Sequence, residues 1–153
     1  MKRILITGAN KGIGLATVAK LLGSYDETFL LLGSRDSKKG QQALNSLVDR
    51  QPEWKDRLDL IQIDVEQDLS VNSAAEEVAT KFGRTPSPLY AIVNNAGIGN
   101  SMLGLNKILQ VNTYGPKRVC DAFLPLLDPS IGRVVNVTSA SGPTYLAGCS
   151  EEV

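Results

Sequence analysis

The apolar run Ile4-Leu5-Ile6 passes directly into Thr7-Gly8-Ala9-Asn10-Lys11-Gly12-Ile13-Gly14, and then into a segment carrying Ala16, Val18, Leu21 and Leu22. Glycines spaced G-x-x-x-G-x-G between a strand and a helix allow few solutions. Glycine lacks a Cβ, so the backbone can turn tightly and a bulky anion can approach it, while the following helix offers free N–H groups and the positive end of its dipole. That is how a dinucleotide pyrophosphate is held. Gly8, Asn10, Lys11, Gly12, Ile13 and Gly14 are therefore candidate cofactor-binding residues.

Further apolar runs follow at Thr28 to Leu32, Leu58 to Asp64, Leu89 to Asn94 and Arg133 to Thr138. Most are apolar on consecutive positions, as in Phe29-Leu30-Leu31-Leu32 and Val134-Val135, which predicts parallel strands covered on both faces. Helical stripes lie between them. Val71, Ala74, Ala75, Val78, Ala79 and Phe82 recur at helical spacing, and Ala43, Leu44, Leu47 and Val48 repeat the pattern before Pro52. Pro86 and Pro88 mark a loop, and Pro125 and Pro129 end the long helix before the fifth strand. The pattern predicts an α/β fold, a doubly wound parallel (Rossmann) sheet of strand order 3-2-1-4-5, in a single domain over residues 1–153.

Composition removes competing classes. The 153 residues hold 16 Lys+Arg against 16 Asp+Glu and no His, with 42% apolar and 21% charged residues. Without histidine, a zinc hydrolase or a Ser-His-Asp hydrolase has no inventory. Zero net charge, with only isolated basic pairs such as Lys2-Arg3, Lys38-Lys39 and Lys117-Arg118, argues against nucleic-acid or membrane partners. Two cysteines, Cys120 and Cys149, form neither a disulfide framework nor a CxxC pair. The apolar start at Ile4 stops at Thr7-Gly8, too soon for a signal peptide, and no run reaches the ~18 residues of a membrane span. A cytoplasmic protein is expected.

Four motifs in order resemble the classical short-chain dehydrogenase/reductase family: the Thr7 to Gly14 loop, Asn94-Asn95-Ala96-Gly97, Val111-Asn112 followed by Gly115, and Gly132-Arg133-Val134-Val135-Asn136-Val137-Thr138-Ser139. Within it the carbonyl reductases look nearest, through Asn10 to Leu15, Ser34-Arg35-Asp36 with Gly40-Gln41, Leu124-Pro125-Leu126-Leu127, and Cys149-Ser150. The stretch from Gly97 to Asn112 is several residues shorter than in that branch. The resemblance implies catalytic roles for Ser139 and Asn112, and cofactor contacts from Asn95, Ala96, Gly97 and Val137. It also implies NADPH-dependent reduction of a ketone, aldehyde or quinone, a small-molecule carbonyl substrate, to an alcohol.

The choice between NAD and NADP turns on the end of strand two. NAD needs a carboxylate for the ribose 2′-hydroxyl, and NADP needs cations for the 2′-phosphate. Ser34 stands where the family places the acid, and Arg35, with Lys39 and Lys11, supplies the cations, so NADP(H) is expected. Asp36 is the complication, since it could be misread as the NAD ligand. Asp64-Val65 resembles the pair that brackets the adenine ring, although a strand-ending Asp also caps the next turn.

One half of the family's active site has no match. Tyrosine and lysine of YxxxK should follow the serine, yet Tyr145 has Cys149 four residues on and no lysine follows Lys117. The chain reads as an amino-terminal part of a larger reductase, C-terminally incomplete, lacking the family's last strands and helices and inactive on its own. The alternative is a non-catalytic nucleotide-binding or regulatory module derived from such an enzyme.

Overall fold

The computed structural model describes residues 1–99 and 104–148; Cys149 and Ser150 lie outside the described residues, as do 100–103 of the short stretch before Asn112. Five strands, β1 (Lys2–Ile6), β2 (Thr28–Ser34), β3 (Leu58–Gln62), β4 (Ala91–Asn94) and β5 (Arg133–Asn136), form one sheet in the order β3-β2-β1-β4-β5. Every pairing is parallel, with Ile4 opposite both Leu30 and Ala91, and Leu32 opposite Leu60. Helices α1 (Gly12–Ser24), α2 (Ser37–Arg50), α3 (Asp68–Phe82), α4 (Leu105–Asn112) and α5 (Tyr114–Phe123) lie in the crossovers, and α6 (Ser141–Ala147) follows β5. The sheet order expected from sequence is the observed one.

Consecutive apolar strand residues divide between two cores. In β1, Ile4 and Ile6 pack with Val18, Leu22 and Leu47 of α1 and α2. Leu5 between them packs on the opposite side with Val71, Val78, Val119 and Phe123 of α3 and α5. Leu30 and Leu32 against Leu31 in β2 repeat the split. Successive strand side chains point to opposite faces, so a run without polar interruptions needs two helix layers. Each fully buried Leu or Phe contributes about 1.5–3 kcal/mol. The α3 stripe is buried as its spacing predicts, with Phe82 set edge-on to Phe29 at a centroid distance of 5.5 Å.

Two expectations need correction. The long helix before the fifth strand is two helices, α4 ending at Asn112 and α5 beginning at Tyr114, and Pro116 in the first turn of α5 has no N–H to donate back to the Asn112 carbonyl. The fifth strand is not covered on both faces. Its residues are all exposed, Val134 by 38% and Val135 by 47%, because β5 is the sheet edge and pairs with β4 alone among the described residues. Among the described residues no helix is long and apolar enough to cross a membrane.

Candidate functional site

Parallel strands bring their carboxyl ends to one rim of the sheet, and the crossovers from β1 and β4 diverge there to opposite faces. The rim is built around Thr7. Its buried Oγ1 accepts the backbone N–H of Asn95 at 3.1 Å and of Ala96 at 3.0 Å, while Asn95 Nδ2 donates to the carbonyls of Thr7 at 2.9 Å and Gly8 at 3.2 Å. These four bonds tie the glycine loop to the turn after β4. Sequence reading quotes Thr7 inside the motif but gives it no role; a hydroxyl's capacity for two acceptor bonds is the signal it held.

Above this tie lies a groove of about 410 Å³. It is lined by Gly8, Asn10, Lys11, Gly12, Ile13, Gly14, Arg35, Asp64, Val65, Asn95, Ala96 and Gly97, residues singled out from sequence, and also by Ile63, Glu66, Ile98 and Val111. Helix α1 opens onto it with Lys11 as N-cap, which makes no side-chain capping bond, and with no acidic residue in the first turn. An anion at that end meets no internal competitor from the helix itself. Gly12, at φ +56°, has no atom within 4 Å of where a Cβ would stand, leaving open space beside the backbone.

Arg35 reaches the groove from the end of β2, whereas Lys39 does not line it and lies 3.9 Å from Asp36. Asp36 has a structural task. Its Oδ1 accepts the backbone N–H of Lys39 at 3.0 Å as the N-cap of α2, and that bond holds its pKa below the ordinary carboxylate value. The Ser34 hydroxyl, buried, donates to the Asp36 carbonyl at 2.8 Å. Asp36 does not line the groove, and Ser34, where the acid would stand, has no carboxylate for a ribose hydroxyl. Asp64 also forms its turn, Oδ1 accepting the N–H of Glu66 at 3.1 Å while its own N–H donates to Ser70 Oγ at 2.9 Å.

A second cavity, of about 640 Å³, shares the segment 95–98 with the groove and is lined on its other side by Asn112, Val137, Thr138 and Ser139. Val137 thus sits beside the groove and not in it. Asn112 clamps the chain after the Asn94 to Gly97 turn: its Oδ1 accepts the N–H of Ile98 at 2.9 Å and its Nδ2 donates to the Ile98 carbonyl at 2.8 Å. Ser139 Oγ, exposed, accepts the N–H of Ser141 at 3.1 Å. Sequence reading missed Arg118, which joins three elements: its guanidinium donates to Asp68 Oδ1 at 2.7 Å, to the Val65 carbonyl at 3.4 Å and to Gln110 Oε1 at 2.7 Å. It also missed Glu66, whose carboxylate meets Arg35 at 3.4 Å and Lys107 at 2.6 Å. Among the described residues no group of three or more His, Cys, Asp or Glu could hold a metal ion.

The arrangement is a groove that brings together Arg35, Lys11 and the open N-terminus of α1, joined at Asn95 to Ile98 to a pocket with hydroxyl and amide groups. Comparison with known proteins gives it company. The sequence model of the family described as short chain dehydrogenase matches residues 2–150. A (+)-neomenthol dehydrogenase of Arabidopsis thaliana is 34% identical over 165 residues, covering 90% of this chain and 53% of its own length. The NADPH carbonyl reductase 3 of Rattus norvegicus is 31% identical over 158 residues, covering 97% of this chain and 53% of its own length. The chain thus spans about half the length of these relatives. A carbonyl reductase from chicken fatty liver, solved with NADPH bound, superposes with a TM-score of 0.78 at 27% identity, over 99% of this chain and 66% of that one.

Proposed function

The chain belongs to the short chain dehydrogenase family, and on that premise we propose that it binds NADP(H) and serves an oxidoreductase that reduces a ketone, aldehyde or quinone to an alcohol. The observation that carries the reading is the pairing of an uncapped α1 N-terminus with Arg35 in one groove, where Ser34 and Asp36 turn their side chains to the backbone. The groove fits a dinucleotide: open space beside Gly12 admits a pyrophosphate against backbone N–H groups, and Arg35 offers a planar fork to a 2′-phosphate. Bound NADPH would supply the hydride.

The chain's own residues then bind and orient. Lys11 and the first turn of α1 take the pyrophosphate, Asp64 and Val65 bracket the adenine, and Asn95, Ala96 and Gly97 support the middle of the dinucleotide. Ser139 donates a hydrogen bond to the carbonyl oxygen of the substrate as negative charge grows there. Asn112 holds the Ile98 backbone, and with it the wall that groove and substrate cavity share. The proton for the product alkoxide needs a donor of lowered pKa, and no Tyr-x-x-x-Lys pair occurs within residues 1–153. We therefore assign the binding half of the chemistry to this chain and expect no turnover from it alone. Titration calorimetry with NADPH and NADH tests the binding half. Tighter binding of NADPH is the expected result, and equal affinities would remove the reading of Arg35.

A further inference from the structure

Glu66 is the unusual group of the groove. Its side chain is 9% exposed, while the two cations that reach it, Arg35 and Lys107, are 68% and 49% exposed. Each cation uses a different carboxylate oxygen: Arg35 Nη1 lies 3.4 Å from Oε2, and Lys107 Nζ lies 2.6 Å from Oε1. A carboxylate this far from water needs a counterion, and this one has two, held unequally. The nearer comes from α4, outside the groove lining. The more distant is the arginine to which the 2′-phosphate is assigned.

We propose that Glu66 is an intramolecular competitor for Arg35 and thereby a specificity-determining residue toward the 2′-phosphate, with Lys107 as the counterion that Glu66 keeps when the guanidinium turns away. The inference rests on the cofactor reading above and adds a residue to it. Glu66 taxes the 2′-phosphorylated ligand alone, because a ligand without that phosphate leaves the Arg35 to Glu66 pair in place. Lys107 lowers the tax without touching the ligand. Take it away, and release of Arg35 leaves a nearly buried carboxylate unpaired.

The test titrates the 153-residue chain with adenosine 2′,5′-bisphosphate and with 5′-AMP, probes that need no active site. Glu66→Gln is expected to tighten the bisphosphate roughly three- to fivefold, the scale of a partly exposed ion pair, and to move 5′-AMP less than about twofold. Lys107→Gln is expected to weaken the bisphosphate by a similar factor, an effect that disappears in the Glu66→Gln/Lys107→Gln double variant. Weaker or unchanged bisphosphate binding in Glu66→Gln would overturn the proposal: weaker binding would mean that Glu66 positions Arg35 for the phosphate, and unchanged binding that it plays no part. Additive effects in the double variant would also overturn it, since they reduce both residues to bulk charge. If Glu66→Gln fails to fold, Lys107→Gln decides with both probes: a loss confined to the bisphosphate supports the competitor, and unchanged bisphosphate affinity or an equal loss for 5′-AMP rules it out. If the parent chain binds both probes equally, the NADP(H) reading falls and this inference falls with it.

Discussion

Gly14 has no room for a side chain: a Cβ would stand 2.5 Å from Asn95 Nδ2, 2.8 Å from the Gly8 carbonyl oxygen and 2.9 Å from the Ala9 Cα. Two of those neighbours are backbone and cannot yield cheaply, so Gly14→Ala should destabilise by about 1–3 kcal/mol, read as a lower denaturant midpoint. Gly12 makes the opposite case, because there the cost is left-handed backbone, with open space around it. Alanine at Gly12 should cost about 1–2 kcal/mol and obstruct the ligand. At Arg35 the expected effect is on choice of cofactor. Arg35→Asp removes a charge-assisted contact worth about 1.5–3 kcal/mol and adds repulsion, so NADPH affinity should fall by tenfold or more while NADH affinity falls little. These positions were legible in the sequence because glycine and arginine carry their reasons in their own chemistry. Glu66 and Arg118 were not, since what they do depends on partners as distant in sequence as Lys107 and Asp68.

A helix and its cap form a unit in α2. Asp36 accepts the Lys39 N–H, and its pKa is lowered chiefly by that bond. A carboxyl whose folded pKa lies below its unfolded 3.8 stabilises the fold fully above the unfolded value and loses that contribution as pH falls through the folded one. Asp36→Ala should therefore lower the thermal midpoint at neutral pH, and the gap to the parent should close once the medium is acid enough to protonate both states. A gap that persists in strong acid would mean that Asp36 stabilises α2 by something other than its charge. The α3 stripe was readable by period alone, and the β1 and β2 runs by their short, unbroken apolar length between turn signals. The break between α4 and α5 was missed although Gly115-Pro116 beside it carries the signal: Pro116 is tolerated in the first turn of a new helix and not inside a continuous one. Asp64 was readable both as a site residue and as a turn former, and the geometry gives it its turn.

Across the whole molecule, the parallel order β3-β2-β1-β4-β5 was legible because short apolar runs alternating with helical stripes admit few topologies. Burial of the last strand was not, since an apolar run states what it needs and not whether a neighbour is there to supply it. Val134, Val135 and Val137 stand 38–47% exposed at a sheet edge that bonds on one side only among the described residues. An apolar edge of that kind recruits other strands. The isolated 153-residue chain should self-associate with rising concentration, and sedimentation showing a monomer at every concentration would contradict this. Catalysis divides at the same place. Asn112 and Ser139 border one cavity, and the groove beside it is the one proposed to take adenosine and pyrophosphate. The reduction also needs a proton, and a general acid is worth on the order of 10²–10⁴ in rate. Tyr145 falls in α6 with Cys149, not lysine, four residues on. The isolated chain should then bind NADPH yet consume none of it with quinones or aromatic aldehydes, followed by loss of reduced-nicotinamide absorbance. Turnover of ~1 s⁻¹ or more, ordinary for an enzyme, that vanishes in Tyr145→Phe would make Tyr145 the acid and overturn the division of labour proposed for this chain.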